Sequence, residues 1–313
     1  MNNSENKVEV VKTIRGSISS VKPNQKTVLI CTNGYQTTDT HDATALYDYY
    51  KQNFQKDFPE CEIELALLFE AHIVKTHHAR LYEKKLRRVI EGYIAKGYRI
   101  YLMGYSFSCS LVAKMAHIYK NNIDRLILVA PIYDTILNNM IPNYLRYAKK
   151  FKVLQKKYGN RVSNSMGRHT VKGMFGLLCS IFYSILKNRR YLRHIKQDTL
   201  ILRGDSDPMC SEHSMKKVLS KIKGNYAFYL YSGMNHTMLK TVRLNGIVFE
   251  DILHFAFNTP FLLEKREEIK KQEIVMTSHK LDEDGDEIPT FEEIFNQLDP
   301  DVDNDTVARE DQF

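Results

Sequence analysis

Six short apolar runs recur along this chain, and most are separated by segments whose apolar residues are spaced for a helix. The runs are residues 27–32, 62–69, 98–103, 125–130, 199–204 and 226–231, and the helical segments are residues 43–54, 81–96 and 110–119. Parallel strands need crossover connections, which are usually helices. The alternation therefore predicts an α/β fold built on a mostly parallel, doubly wound sheet.

The pentapeptide Gly104-Tyr105-Ser106-Phe107-Ser108 lies between the third run and a helical segment. A serine flanked by small residues at a strand-to-helix junction is typical of a nucleophile elbow. The small residues are needed because side chains in so tight a turn would collide with neighbouring backbone. The last position holds serine where glycine is usual. The pattern predicts Ser106 as a nucleophile.

Acidic residues and a histidine follow the last two predicted strands. Asp205 and Asp207 follow the fifth run, and His236 follows the sixth. The order Ser…Asp…His, together with the elbow, resembles the α/β-hydrolase superfamily over about residues 26–257. The resemblance implies that Ser106 is the nucleophile, that His236 is the general base and then the acid, and that Asp207 orients His236.

The identity of the acid stays open between Asp207, Asp205 and Asp134, which follows an earlier strand. Asp207 is favoured because superfamily members commonly place the acid three residues after a glycine at the end of the strand, here Gly204. Asp205 is the main alternative.

Acyl transfer also needs donors for the developing oxyanion, and in the superfamily these are two backbone N–H groups. The resemblance implies Phe107, which follows the nucleophile, and Tyr35, in the loop after the first run. The turn at Asn33-Gly34 is similar to the His-Gly-X turn of the superfamily, with asparagine replacing histidine.

Residues 132–196 interrupt the strand–helix alternation at a place where the superfamily inserts a cap. This segment holds fourteen Lys or Arg and one acidic residue, and residues 174–186 within it are almost wholly apolar. Thirteen helical residues span about 20 Å, enough to cover an acyl pocket. The basic cap is either a solvated face, a surface for an anionic membrane or an acyl carrier, or a surface for the chain's own acidic tail. No pattern favours nucleic acid.

The charge of the chain is divided unequally. Residues 281–313 carry a net charge of −12, whereas the remainder carries +20. Alternate acids from Asp299 to Asp305, with Glu310 twelfth, imitate a calcium loop but lack its glycine and exit helix. The sequence predicts an N-terminal hairpin within residues 1–25, a hydrolase domain at 26–260 with the cap at 132–196, and a charged, disordered tail at 261–313.

The five cysteines are odd in number and lack CxxC spacing, which argues against a disulfide framework and a zinc site. The first residues lack the apolar core of a secretory signal, and no apolar run reaches about 20 residues. We therefore expect a cytoplasmic protein, peripheral to a membrane at most, that needs no metal or cofactor.

These features predict a serine hydrolase that cleaves a carboxylic ester or thioester through an acyl-Ser106 intermediate. The apolar cap segment favours a lipid-like acyl substrate. Acyl transfer by the same triad and a non-enzymatic interaction module on the same fold are the alternatives. The sequence does not specify the physiological substrate or the oligomeric state.

Overall fold

The structure, a computed structural model of the chain, describes residues 10–19, 25–34, 41–56, 58–68, 79–133, 182–240 and 245–257. The strands and helices, in chain order, are β1 (Val10–Arg15), β2 (Thr27–Thr32), α1 (Thr44–Asn53), β3 (Cys61–Ala66), α2 (Ala79–Ala95), β4 (Arg99–Tyr105), α3 (Ser108–Ile118), β5 (Ile123–Val129), a 3-10 helix (Arg189–His194), β6 (Asp198–Gly204), α4 (Glu212–Lys221), β7 (Tyr226–Tyr231) and α5 (Asn245–Phe257). Residues 182–188 are also helical.

The described strands form one seven-stranded sheet in the order β1-β7-β6-β5-β4-β2-β3. All neighbouring pairs are parallel except β1 with β7. The predicted mostly parallel sheet is therefore confirmed.

Helices pack on both faces of the sheet, so strand residues are buried on both sides. On β2, Val28 and Ile30 pack in the core shared with α2, α3 and α4, whereas Leu29 and Cys31 pack in the core shared with α1 and α5. Sheets buried on both faces need near-continuous apolar strands. This explains why the inner strands appear in the sequence as unbroken apolar runs.

The first strand lies at the edge of the sheet, and its partner differs from the prediction. The sequence predicted a hairpin within residues 1–25, but β1 pairs antiparallel with β7, from Val10 opposite Tyr231 to Arg15 opposite Tyr226. Residues 16–19 are turn and coil. The sequence pattern identifies a strand but not the strand with which it will pair. Burial of one face does not select the partner either, since every residue of β1 after Val10 is exposed.

The carboxyl ends of the parallel strands meet at one edge of the sheet. Ser106, Asp207 and His236 follow β4, β6 and β7 respectively, and the turn at Gly34 follows β2. Open α/β sheets bind their ligands at this edge. Within the described segments, no helix is long and apolar enough to cross a membrane.

Candidate active site

The turn between β4 and α3 holds Ser106 in a strained conformation. Its φ is +57°, in the left-handed region that residues other than glycine rarely adopt. The Ser106 N–H still donates to Val129 O at 2.8 Å, which continues the pairing with β5, and the Ser106 carbonyl accepts from Cys109 N–H at 3.2 Å. Strain of this kind costs about 1–3 kcal/mol and is concentrated at functional sites.

Gly104 allows α3 to cross close to β4. A Cβ added there would lie 2.8 Å from Cys109 Cα and 2.9 Å from Cys109 N, both of which are backbone atoms. No side-chain adjustment relieves such a contact. The first small residue of the predicted elbow is therefore required by the strand–helix packing.

Ser108, the departure from the usual elbow pattern, is fully buried and hydrogen-bonded. Its hydroxyl accepts from Tyr105 N–H at 2.9 Å, donates to Tyr105 O at 2.8 Å, and accepts from the Thr32 hydroxyl at 2.8 Å. These bonds fasten the turn to the ends of β4 and β2. The side chain at this position is thus part of the turn rather than an obstacle to it.

We expect Ser108→Ala to lower the free energy of unfolding by about 2 kcal/mol, because it removes the Ser108 partner of the buried Tyr105 N–H and carbonyl groups. The Thr32 hydroxyl retains Met103 O as an acceptor at 2.9 Å. Ser110→Ala is the matched control. Ser110 is equally buried on α3, but its hydroxyl has no hydrogen-bond partner in the described part of the chain. Urea unfolding measures both changes, and equal losses in the two variants would contradict the assigned role.

The structure brings the three residues predicted as a triad into one hydrogen-bonded chain. The Ser106 hydroxyl lies 2.9 Å from His236 Nε2, and His236 Nδ1 lies 2.9 Å from Asp207 Oδ2. Ser106 is 6% exposed and Asp207 4% exposed. With the proton on Nδ1 donated to Asp207, Nε2 is free to accept the serine proton, which is the arrangement required of a general base.

Both oxygens of the Asp207 carboxylate have partners. Oδ1 accepts from Met209 N–H at 2.8 Å and from Cys210 N–H at 3.0 Å, which leaves Oδ2 directed to His236. The backbone after β6 therefore fixes the rotamer of Asp207. In turn, Arg203 Nε donates to Cys210 O at 2.6 Å and braces this loop.

Asp205, the alternative acid, lies on the surface and makes no described contact with His236. Its carboxylate accepts from Gly233 N–H at 2.9 Å, from the Ser206 hydroxyl at 2.9 Å and from the Ser232 hydroxyl at 3.2 Å. Burial raises the pKa of Asp205, but these hydrogen bonds together outweigh burial, so its pKa lies below its ordinary value. Asp205 therefore stabilises the turn after β7 through its hydrogen bonds to Ser232 and Gly233.

Tyr105 supports His236, and the sequence did not reveal this role. The two rings stack with centroids 5.8 Å apart, and the Tyr105 hydroxyl donates to His236 O at 2.7 Å. Tyr105 is itself buried at the end of β4. Tyr105, the residue before Ser106, thus holds both the ring and the backbone of His236.

The loop after β2 passes very close to Ser106. A Cβ added to Gly34 would lie 2.8 Å from Tyr105 Cδ1 and 3.3 Å from Ser106 Cβ. Only glycine permits this approach without displacing the Tyr105 ring. Asn33 is fully buried, and its Oδ1 accepts from Leu68 N–H at 2.7 Å.

Several predicted features lie outside the described residues. They are Tyr35, Asp134, most of the cap at 132–196, and the tail from residue 261 onward with its calcium-like loop. Phe107 is described and lies in the turn directly after Ser106, 2% exposed. Among the described residues, no cluster of three or more His, Cys, Asp or Glu could hold a metal ion.

Comparison with solved structures identifies the fold. A monoacylglycerol lipase from Paleococcus ferrophilus is 12% identical, with a TM-score of 0.50, and the match covers 80% of this chain and 99% of that one. An esterase from Exiguobacterium antarcticum is 13% identical (TM-score 0.50; 80% and 95% covered). A bromoperoxidase from Bacillus anthracis is 14% identical (TM-score 0.50; 79% and 95% covered).

No protein-family model matches the chain, and no curated protein matches it. At identities this low, the structural likeness shows the fold alone. The chain has the α/β-hydrolase fold, as predicted from the elbow and from the order of its partners.

Proposed function

We propose that this protein is a serine hydrolase that cleaves a carboxylic ester or thioester through an acyl-Ser106 intermediate. The observation that carries the proposal is the hydrogen-bonded chain from the Ser106 hydroxyl through His236 to Asp207, with both separations at 2.9 Å. A serine hydroxyl is a weak nucleophile until an adjacent base accepts its proton. This chain supplies the base and also the carboxylate that orients it.

In the first half-reaction, Ser106 Oγ attacks the carbonyl carbon while His236 Nε2 takes the serine proton. The tetrahedral intermediate collapses as the bond to the leaving alcohol or thiol breaks, and the imidazolium of His236 gives its proton to that group. In the second half-reaction, His236 takes a proton from water as the water oxygen attacks the acyl carbon. The second tetrahedral intermediate collapses as the bond to Ser106 Oγ breaks, His236 returns the proton to Oγ, and the carboxylic acid leaves. Asp207 stabilises the imidazolium in both halves.

The backbone N–H groups of Phe107 and Tyr35 are the proposed donors to the oxyanion. Phe107 directly follows the nucleophile at the start of α3, whose N-terminal dipole favours negative charge. The close approach of Gly34 to Ser106 supports Tyr35, because Gly34 is the preceding residue. Loss of one such donor typically lowers kcat by about 10²–10³-fold.

We infer a lipid-like acyl substrate from the apolar segment at 174–186, and the lipase and esterase among the similar structures support an ester. With p-nitrophenyl esters, we expect kcat/KM to rise from acetyl to octanoyl, because each buried methylene contributes about 0.8 kcal/mol. A preference for acetyl would overturn the acyl-chain inference.

A separate measurement tests the covalent intermediate. A burst of p-nitrophenol equal to the enzyme concentration, with an acyl adduct visible by intact mass, would identify the acyl-Ser106 intermediate.

We also propose that a basic surface beside α4 holds the protein at an anionic membrane in the cytoplasm. Its members are all exposed: Lys187, Arg189, Arg190, Arg193, Lys196, Lys217, Lys221 and Lys223. Arg189, Lys217 and Lys221 line one surface cavity. The described part of the cap, residues 182–196, contains no acid, and it exposes Tyr183 (63%) and Leu186 (50%). Basic and apolar groups together suit a phospholipid surface.

The protein is expected to sediment with vesicles containing phosphatidylserine but not with pure phosphatidylcholine vesicles, and to be released at 0.5 M salt. Lys217→Glu with Lys221→Glu should weaken binding at least about tenfold, since each basic residue contributes about 1 kcal/mol. Lys84→Glu with Arg88→Glu, the same charge change on α2, is the control. Equal binding to both vesicle types would contradict the proposal, and binding only to an acidic acyl carrier would replace it.

A further inference from the structure

We propose that Asp42, which lies outside the triad, is a positioning residue that fixes the loop after β2 against the turn that carries His236. The inference rests on the proposed function and adds to it. In this inference, the buried Asp42 carboxylate sets the distance between the proposed oxyanion donors and the proposed general base, His236.

The two oxygens of Asp42 bond to opposite sides of the site. Oδ2 accepts from Gly34 N–H at 2.8 Å, and Oδ1 lies 2.8 Å from Lys240 Nζ. The Asp42 side chain is 2% exposed, whereas the Lys240 side chain is 48% exposed. A buried carboxylate is unfavourable without partners, so this position selects a residue that satisfies both of them.

On the donor side, both ends of the loop after β2 are held. Gly34 is tied to Asp42, and His41 Nε2 donates to Cys31 O at 3.0 Å while His41 Nδ1 accepts from Ala43 N–H at 3.0 Å. Burial lowers the pKa of His41 more than nearby Asp42 and backbone carbonyls raise it. His41 Nδ1 can accept the Ala43 N–H only when the ring is neutral. The two hydrogen bonds of the ring then fix the end of the loop that carries Asp42.

On the base side, Lys240 ends a compact turn that begins one residue before His236. Asn235 Oδ1 accepts from Thr237 N–H at 2.9 Å and from the Thr237 hydroxyl at 2.7 Å, and Lys240 N–H donates to Thr237 O at 2.7 Å. Met238 within this turn is fully buried. The position of Lys240 therefore constrains the position of His236, because only a short, hydrogen-bonded segment separates them.

The link from Gly34 through Asp42 to Lys240 matters because Gly34 also lies against Tyr105 and Ser106. Tyr105 in turn stacks on His236. Asp42 thus closes a ring of contacts that passes through the donor loop, the nucleophile and the base. A displacement of about 1 Å in a reacting geometry lowers the rate by about 10²-fold.

The variants separate the two bonds of Asp42. Asp42→Ala removes both of them. Asp42→Asn retains an oxygen for Gly34 N–H but presents an uncharged group to Lys240, and Lys240→Met removes the cation and leaves Asp42 in place. Asp251→Asn is the matched control, because Asp251 is another buried aspartate paired with a lysine, Lys12, at 3.0 Å. It lies on α5, and its other carboxylate oxygen accepts from the Tyr231 hydroxyl at 2.8 Å.

The experiment measures kcat and KM for a p-nitrophenyl ester, the inhibition constant of a trifluoromethyl ketone that mimics the tetrahedral intermediate, and the melting temperature. For Asp42→Ala we expect kcat to fall about 10²-fold with KM changed less than about threefold, and the inhibitor to weaken in proportion to kcat/KM. Asp42→Asn should recover most of kcat, and Lys240→Met should lose about tenfold or less. Asp251→Asn should change the melting temperature and leave kcat unaltered.

A folded Asp42→Ala with kcat within twofold of wild type, or with a loss confined to KM, would overturn the positioning role. If Asp42→Ala does not fold, the double variant Asp42→Asn/Lys240→Met decides, because additive losses contradict a shared bridge. An active wild type with an unaffected Asp42→Ala defeats only this inference. A wild type that neither hydrolyses esters nor reacts at Ser106 defeats the proposed function, and the positioning role with it.

Discussion

Replacing Ser106 with alanine is expected to lower kcat for ester hydrolysis by about 10⁶-fold, to the level set by substrate binding and the oxyanion donors. The reason is that His236 Nε2, 2.9 Å from the hydroxyl, then has no proton to take from a nucleophile. Steady-state kinetics with a p-nitrophenyl ester measure the change. Ser110→Ala, which replaces a buried serine on the helix that follows Ser106, should retain wild-type kcat.

A stability measurement on variants of the same position tests the backbone strain at Ser106. Alanine at φ +57° keeps the strain, whereas glycine adopts this conformation freely. Ser106→Gly should therefore be more stable than Ser106→Ala by about 1 kcal/mol in urea unfolding, although both are inactive.

The activity of Ser106→Ala is the separate test of the nucleophile. Activity above about 1% of wild type would contradict the assignment of Ser106 as the nucleophile.

Asp207→Asn is expected to lower kcat by about 10⁴-fold while leaving KM nearly unchanged. An asparagine amide at the position of Oδ2 would donate to His236 Nδ1 and hold the ring in the wrong tautomer, so that Nε2 carries the proton and no longer accepts one. The measurement is kcat and KM on a p-nitrophenyl ester near neutral pH.

Asp205→Asn is the matched comparison, because Asp205 lies two residues away on the same loop. It is bonded to the turn after β7 and not to His236, so its replacement should lower stability modestly and kcat by less than about threefold. A larger loss of kcat in Asp205→Asn than in Asp207→Asn would reverse the assignment of the acid.

The sheet could be predicted from the sequence because of where its strands lie. Strands β2, β4, β5 and β6 are buried on both faces, so their residues are apolar without alternation and are bounded by turn residues. Strand β1 lies at the edge, and long-range contacts fix its position: its pairing with β7 and the ion pair between Lys12 and Asp251. No local signal in residues 10–15 identifies that partner.

Of the candidate site, the sequence predicted the residues that follow strands. Ser106, Asp207 and His236 could be placed together because the carboxyl ends of parallel strands converge. The supporting residues could not be predicted in this way. Asp42 lies eight positions after Gly34 across a loop, with no periodicity to connect them. The stacking of Tyr105 on His236 depends on how the end of β4 packs against the turn after β7.

The most direct test of the proposed mechanism is the reaction of the folded protein with a fluorophosphonate, followed by intact mass and peptide mapping. Fluorophosphonates phosphonylate a serine only when a neighbouring base and oxyanion donors activate it. We predict one adduct per chain, on Ser106, formed rapidly in wild type and absent in Ser106→Ala. Folded wild-type protein that remains unmodified, or that carries the adduct on another residue, would contradict the account.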